Sequence, residues 1–265
     1  MTALTTLVPR SDWDPHFTRA HPAFAALAPI ASRFEGCPRW PDIDAWNRAL
    51  ADLSLTVASG APLRFVPQAP RRRGRALVAV ERYECRVHDR GEVPSRSRSW
   101  HDLFNMLCWA TFPRTKAALN ARQRAAVARL DLDGATRLPN ARTREQDALA
   151  MLDEGGCGIL TTRPLDAPIA GGDVDAVEAA VRAGEARVVV VGHAVYEHMV
   201  SSPTVVRALA VVVPASELPA TLDASVARLD AGVAAALADG SFLASPPAHA
   251  ALPMRRSLFE ALEGP

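Results

Sequence analysis

Three short stretches carry the residue types that proton transfer, metal binding or charge stabilisation requires. The first is Trp100-His101-Asp102-Leu103-Phe104-Asn105. On a helix turning about 100° per residue, Trp100, Leu103, Phe104, Met106, Leu107 and Cys108 cover most of the circumference. One polar window is left, with His101 and Asn105 four apart and Asp102 beside them. Polar groups in a buried window are costly unless paired, so a metal, a substrate or each other must satisfy them. An imidazole there serves as base, acid or ligand. Asp102 has an equally good structural use as the partner of a capping Ser99.

The second stretch is Val188-Val-Val-Val-Gly192-His193-Ala-Val-Tyr196-Glu197-His198. A continuous β-branched run reads as a strand buried on both faces, and Gly192 allows a tight exit into a helix opening at His193. Glu197 follows one turn later on the same side, and ligands gather where strands end and helices begin. A His and a Glu four apart hold one divalent cation or pair as base and orienter. The ordinary alternative is an exposed surface pair. His198 is rotated by a further residue and is the weaker candidate. The third stretch brackets a helix with Asp147, Asp153 and Glu154 before Gly155-Gly156. Acids at a helix C-terminus oppose the macrodipole unless a cation compensates. A solvated acidic turn is the alternative.

Residue scarcity adds a fourth position. Of the 30 basic side chains, 29 are arginine and one is Lys116. In a chain so biased, a surviving lysine suggests a site that needs a compact ammonium and not a planar fork. Asn105, Asn120, Trp100 and Trp109, all of scarce types, lie close by in the same stretch.

These residues must be positioned by a mixed fold. Prolines at 9, 15, 22, 29 and 38 keep helices short near the start. Ile43, Trp46, Leu50 and Leu53 mark a helix face. Leu77 to His88 alternates, with Tyr83, Cys85 and Val87 on one side, and predicts a half-buried strand ending in the turn Asp89-Arg90-Gly91. Ser99/Asp102 and Thr143/Gln146 have capping-box spacing. Pro113 divides the first of these helices from a second that runs to about Leu130. Beyond Gly156 the pattern predicts strand 158–162, helix 174–182, strand 187–191 and helix 193–199, then a helix over 222–238. The expected class is α/β, a mixed sheet with flanking helices and a helix-rich N-terminal part, with some parallel pairing. The expected organisation is a single domain over 1–265, with a Pro-rich segment over about 1–40 and an irregular tail over about 245–265.

Composition bounds the function classes. With 30 Lys+Arg, 29 Asp+Glu and 49% hydrophobic residues, the chain is neither disordered nor collagen-like. Its start lacks the pattern of a signal peptide, and its apolar runs are too short to span a bilayer, so a cytoplasmic protein with no membrane partner is expected. Four scattered cysteines form no C-x-x-C pair and read as reduced thiols. The near-zero net charge hides an asymmetry: residues 1–145 carry 23 basic and 14 acidic side chains, and the rest 7 and 15. Ten arginines lie between Arg64 and Arg98, including Arg71, Arg72, Arg73 and Arg75. Such a patch attracts phosphate-bearing ligands or nucleic acid; alternatively it is a solvated loop, or it docks on the acidic part. No P-loop, nucleophile elbow, H-E-x-x-H or clean Rossmann fingerprint is present.

The blocks W-H-D-L-F-N (100–105) and F-P-R-T-K-A-A-L-N (112–120) resemble a bacterial family known only as a domain of unknown function, numbered three thousand and twenty-five. R-Y-E-C-R-V (82–87), G-E-V-P (91–94), D-A-L-A-M-L-D-E-G-G (147–156) and G-H-A-V-Y-E (192–197) extend the resemblance over roughly Pro38 to Val213. The ending Leu252-Pro-Met-Arg-Arg256 departs from that family's aromatic-rich one. The resemblance implies one shared pattern for the three stretches and names no chemistry.

The leading expectation is a metal-dependent hydrolase acting on a small anionic or phosphorylated substrate. His193 and Glu197 would bind a divalent metal with Asp153 or Glu154. His101 would be general base or acid, held by Asp102 or Asn105, and Lys116 would stabilise developing negative charge. Arg86, Arg96, Arg98 and Arg114 would bind the anion. The alternatives are a nucleic-acid- or nucleotide-binding protein without catalysis, and a scaffold in which these groups are structural.

Overall fold

We describe residues 12–69, 82–132, 142–201, 205–247 and 251–260 of a computed structural model, leaving aside the side chains of 130–132. The arginine run 71–75 and the first half of the alternating stretch lie outside the described residues. The helices are α1 (Ala28–Ala31), α2 (Ile43–Ala49), α3 (Tyr83–Arg90), α4 (Trp100–Thr111), α5 (Pro113–Leu132), α6 (Arg144–Gly155), α7 (Asp166–Ala170), α8 (Val174–Arg182), α9 (His193–Ser201) and α10 (Leu222–Ala238). The strands are β1 (Arg64–Pro67), β2 (Glu92–Ser95), β3 (Gly156–Thr161), β4 (Ala186–Val190), β5 (Arg207–Pro214) and β6 (Leu252–Pro253).

The class is mixed α/β. The main sheet has the order β4-β3-β5-β6. Strand β3 runs parallel to β5 and antiparallel to β4, and β6 pairs antiparallel with β5. Strands β1 and β2 form a separate parallel pair. All six residues of β3 are buried, as expected for a strand covered on both faces. One hydrophobic cluster runs from Phe17 to Phe259 and includes Leu252, Met254 and Leu258. The segment beyond 245 is therefore not wholly irregular: it adds a short strand and packs its apolar side chains inward.

Local signals act where the sequence places them. Thr143 and Gln146 form a complete capping box at α6. Ser99 accepts a hydrogen bond from the Asp102 N–H at 3.3 Å, but the Asp102 carboxylate turns to Arg96, so only half a box forms. Helix α5 starts at Pro113, where a proline needs no partner for its missing N–H. Asp230 of α10 then accepts from the Arg114 and Thr115 N–H groups at 3.1 and 2.8 Å, capping α5 from another element.

One expected strand is a helix. Residues 83–90 form α3, closed by Gly91 at φ 66° with its N–H on the Arg86 and Val87 carbonyls. The left-handed residue ends the helix and needs glycine, because a Cβ there would lie 2.0 Å from the Pro62 carbonyl oxygen. The alternation of Tyr83, Cys85 and Val87 rests on three residues in a piece barely two turns long, too short to separate the two periods.

Candidate active site

Helices α4 and α9 bring the two distant histidines together. Phe104 of α4 stacks on Tyr196 of α9 with ring centroids 5.8 Å apart, and Phe24 stacks on the same tyrosine at 5.5 Å. The Tyr196 hydroxyl donates to the Val190 carbonyl at 2.7 Å, fixing α9 to the end of β4. The apolar girdle of α4 thus docks the helix, and its polar window is left facing α9.

Across that contact the Nε2 atoms of His101 and His193 lie 3.1 Å apart, with the rings edge to face. The outer nitrogens are both anchored. His101 Nδ1 is 2.9 Å from Glu197 Oε2, and His193 Nδ1 is 2.8 Å from the Asp153 carbonyl oxygen. Both partners are acceptors, so both Nδ1 atoms carry protons. Two neutral rings would then point lone pairs at each other. A hydrogen bond between the Nε2 atoms requires one additional proton, shared by the pair.

The surroundings bias where that proton sits. The hydrogen bond to Glu197 raises the His101 imidazole above its ordinary value, against the lowering effect of burial. Burial pushes His193 down to about 4, outweighing the attraction of Asp153. Glu197 is held low, chiefly by its hydrogen bond with His101. The shared proton is therefore biased toward His101, with His193 as its acceptor. The His101 side chain is 33% exposed, whereas His193 is 4% exposed, so the ring that favours the proton opens to solvent with the other ring beneath it.

Lys116 completes the cluster from α5. Its ammonium is 3% exposed and donates to Asn105 Oδ1 at 2.7 Å and Asp153 Oδ1 at 2.5 Å, with the Trp109 ring centroid 5.6 Å away. Burial would raise the Asp153 carboxyl, but the Lys116 charge and the Lys116 hydrogen bond hold it low. Asp153 thus links two halves of the site, its carboxylate to Lys116 and its carbonyl to His193. Asn105 Nδ2 in turn donates to the Tyr83 hydroxyl at 3.3 Å. A small crevice, with room for about one water, lies beside Lys116 and Asp153 and is lined by Tyr83, Trp109, Lys116, Asn120, Gln123 and Asp153. Trp109 Nε1 and Asn120 Oδ1 are buried there without a hydrogen-bond partner among the described residues.

Gly192 makes the His193 contact sterically attainable. A Cβ there would sit 2.4 Å from Gly156 N and 2.5 Å from the Glu154 carbonyl oxygen. The Gly192 N–H also donates to the Gly156 carbonyl at 2.8 Å, so the turn into α9 lies directly on the α6–β3 junction.

The structure therefore gathers His101, Asn105, Lys116, Asp153, His193 and Glu197, with several partners other than those expected. Asp102 does not hold His101; its carboxylate takes Arg96 Nε at 2.7 Å and Arg96 N at 2.8 Å, bracing the loop before α4. Asn105 holds Lys116 and not His101. The expected metal set of His193, Glu197, Asp153 and Glu154 does not form. Glu197 and His193 both turn to His101, the Asp153 carboxylate faces Lys116, and Glu154 is exposed. Among the described residues no three His, Cys, Asp or Glu side chains assemble as a metal-holding group. Asp147 and His198 are exposed.

The expected anion-binding arginines do not converge either. Arg86 pairs with Glu92 at 2.8 Å, and so does Arg64 at 2.7 Å. Arg96 pairs with Asp102, while Arg98 and Arg114 are exposed. Tyr83 is the member that sequence reasoning missed, whereas Trp109 entered only as a scarce residue near Lys116. Scarcity was the available signal for Tyr83, one of only two tyrosines in the chain.

A family profile described as "Protein of unknown function (DUF3025)" matches residues 63–255. The chain belongs to this family. The matched span starts later than the resemblance over Pro38 to Val213 and runs farther, through β6 to Arg255, and it contains every residue of the cluster. No curated protein and no solved structure matches the chain. Among the described residues, no helix is long and apolar enough to cross a membrane.

Proposed function

We propose that this protein is an enzyme working by general acid–base catalysis at the His101–His193 pair, with hydrolysis of a small substrate as its reaction class. The observation that carries the reading is the 3.1 Å contact between two imidazoles whose environments bias them in opposite directions. Pairs of titratable groups pushed apart in this way mark acid and base assignments. His101 Nε2–H would protonate the leaving group, and the His193 Nε2 lone pair would take a proton from the attacking water. Transfer of that proton from His193 back to His101 restores the starting state. Glu197 stabilises the imidazolium and fixes its tautomer, as a carboxylate partner does for a catalytic histidine. Lys116, through Asp153, holds the carbonyl that orients His193.

The charges of His101 and Lys116 are balanced by Glu197 and Asp153. This supports a neutral or singly charged substrate over a phosphorylated one, because no uncompensated positive charge awaits a dianion.

A second reading rests on the same two nitrogens. A divalent metal could replace the shared proton, since both Nδ1 atoms are already held by acceptors, as those of metal-bound histidines usually are. Solvent or substrate would have to complete the coordination.

The test is turnover of a panel of small esters, amides, lactones and phosphomonoesters by wild type, His101→Gln and His193→Gln, each checked for folding by circular dichroism. Acid–base chemistry predicts that both variants fall at least about 100-fold, the size of one lost acid–base group. Turnover that survives in both, or none by wild type across the panel, counts against the reading. Calorimetric titration with zinc and manganese separates the two forms: stoichiometric binding lost in both variants selects the metal, and no binding selects the proton.

A further inference from the structure

A cavity among the described residues lies at the opposite end of β4 from His193. It measures about 190 Å³ and is walled by Val181, Ala186, Leu218, Pro219 and Leu258, with Arg187 set into it. Arg187 differs from the other half-buried arginines. Arg86, Arg122 and Arg124 each have a carboxylate partner, respectively Glu92, Glu145 and Asp89. Arg187 forms no ion pair with any described carboxylate. A single nitrogen anchors it: Nη1 donates to the Pro219 carbonyl at 3.0 Å, the Thr221 carbonyl at 3.1 Å and the Ser225 hydroxyl. Its Nε and Nη2 make no hydrogen bond to any described residue.

An arginine held rigid by one terminal nitrogen, with Nε and Nη2 uncommitted, presents the parallel pair of donors that a carboxylate accepts in bidentate fashion. Charge without a counter-ion in a partly desolvated place favours an anion there. Burial also lowers the guanidinium pKa, and no described carboxylate pairs with it to offset that effect. The other walls are apolar, so they suit a short hydrocarbon or aromatic tail. Glu217 and Asp223, both exposed, flank the loop from Leu218 to Leu222. They disfavour a dianion more than a monoanion. Glu185 is occupied by Arg163 at 3.2 Å.

We propose that this cavity is a second ligand site, separate from the histidine cluster, that takes a small monocarboxylate with an apolar tail. Arg187 binds the carboxylate through Nε and Nη2, and the tail lies against Leu218 and Leu258.

The experiment is thermal unfolding at fixed ionic strength with butyrate, benzoate, inorganic phosphate or chloride. Butyrate or benzoate is expected to raise the Tm saturably, by about 3 °C at tenfold excess over Kd, and phosphate and chloride are not. Arg187→Gln should abolish the rise. Because that change also removes an anchor of the β5–α10 loop, Ala220→Phe is the second variant. Ala220 lines the cavity and is exposed, so the phenyl ring fills the space while Arg187 and the fold remain. No rise with either carboxylate overturns the site. An equal rise in Ala220→Phe overturns its location, and an equal rise with phosphate overturns the ligand class. His101→Gln should keep the full rise, so this result and that of the proposed activity stand or fall separately.

Discussion

Lys116 occupies a position that an arginine would fill badly. Its ammonium is enclosed by Asn105, Asp153 and the Trp109 ring, and it is 3% exposed. An arginine would bring a wider planar head and five donors into a space with acceptors for two or three. Lys116→Arg should therefore destabilise by about 2 kcal/mol, the cost of overpacking with unpaired donors. Lys116→Met should cost about 3–5 kcal/mol, because the Asp153 carboxylate is left as an uncompensated charge. Adding Asp153→Asn should return much of that loss, a non-additivity expected of contacting partners. Urea unfolding of the single and double variants measures it, and a neutral Lys116→Arg would mean the ammonium geometry is not needed. The importance of this residue was legible because one lysine stands among 29 arginines. Its partners were not. Which carboxylate meets which cation depends on how α4, α5, α6 and α9 pack, and spacing along one helix carries no such information. Hence Asp102, adjacent to His101 in sequence, belongs to Arg96, and Glu197, 96 positions away, belongs to His101.

The elements that deliver these residues depend on a few backbone approaches. Gly192 sets α9 against the start of β3, and a methyl group there would collide with backbone atoms of Gly156 and Glu154 that have no rotamer to yield. Gly192→Ala should cost about 3 kcal/mol, the upper end of overpacking effects. It should also move His193 off the Asp153 carbonyl, so the imidazole resonance of His193 should shift toward ordinary titration. A wild-type unfolding midpoint and unshifted histidine signals in Gly192→Ala would contradict the close approach. Long elements with strong local signals were legible: α10 ends where the alanine-rich pattern ends, and α6 begins at its capping box. Helix α3 was not, since Tyr83, Cys85 and Val87 alternate as in a strand and the piece is too short for a helical period to show. Its better marker was Gly91, a left-handed closing residue more typical of a helix end than of a strand exit. The tail beyond 245 was unreadable for another reason. Strand β6 pairs only two residues, and its place is set by β5 and not by its own sequence.

Across the whole molecule, a basic N-terminal part is joined to an acidic remainder, and two of the ion pairs between them, His101–Glu197 and Lys116–Asp153, lie in the histidine cluster. Stability should therefore respond to pH through the site. His193 has a folded pKa of about 4 against an ordinary 6.5, so its stabilising contribution is complete above 6.5 and is lost as pH falls toward 4. A difference of that size corresponds to about 3 kcal/mol at most. Asp153 and Glu197, both held low, add to the acid loss, because the unfolded chain binds their protons first. His101 works in the other direction. Its folded pKa is raised, so its contribution is complete below 6.5 and disappears as pH rises through the folded value. The urea midpoint should climb from pH 4 to about 6.5 and then decline. Glu197→Gln should flatten the decline, since the hydrogen bond to that carboxylate is the main cause of the raised His101 value. His193→Gln should flatten the climb, as glutamine presents no group for the unfolded chain to protonate. A decline that persists unchanged in Glu197→Gln would show that His101 does not hold the shared proton, and the roles of the two rings would then have to be exchanged.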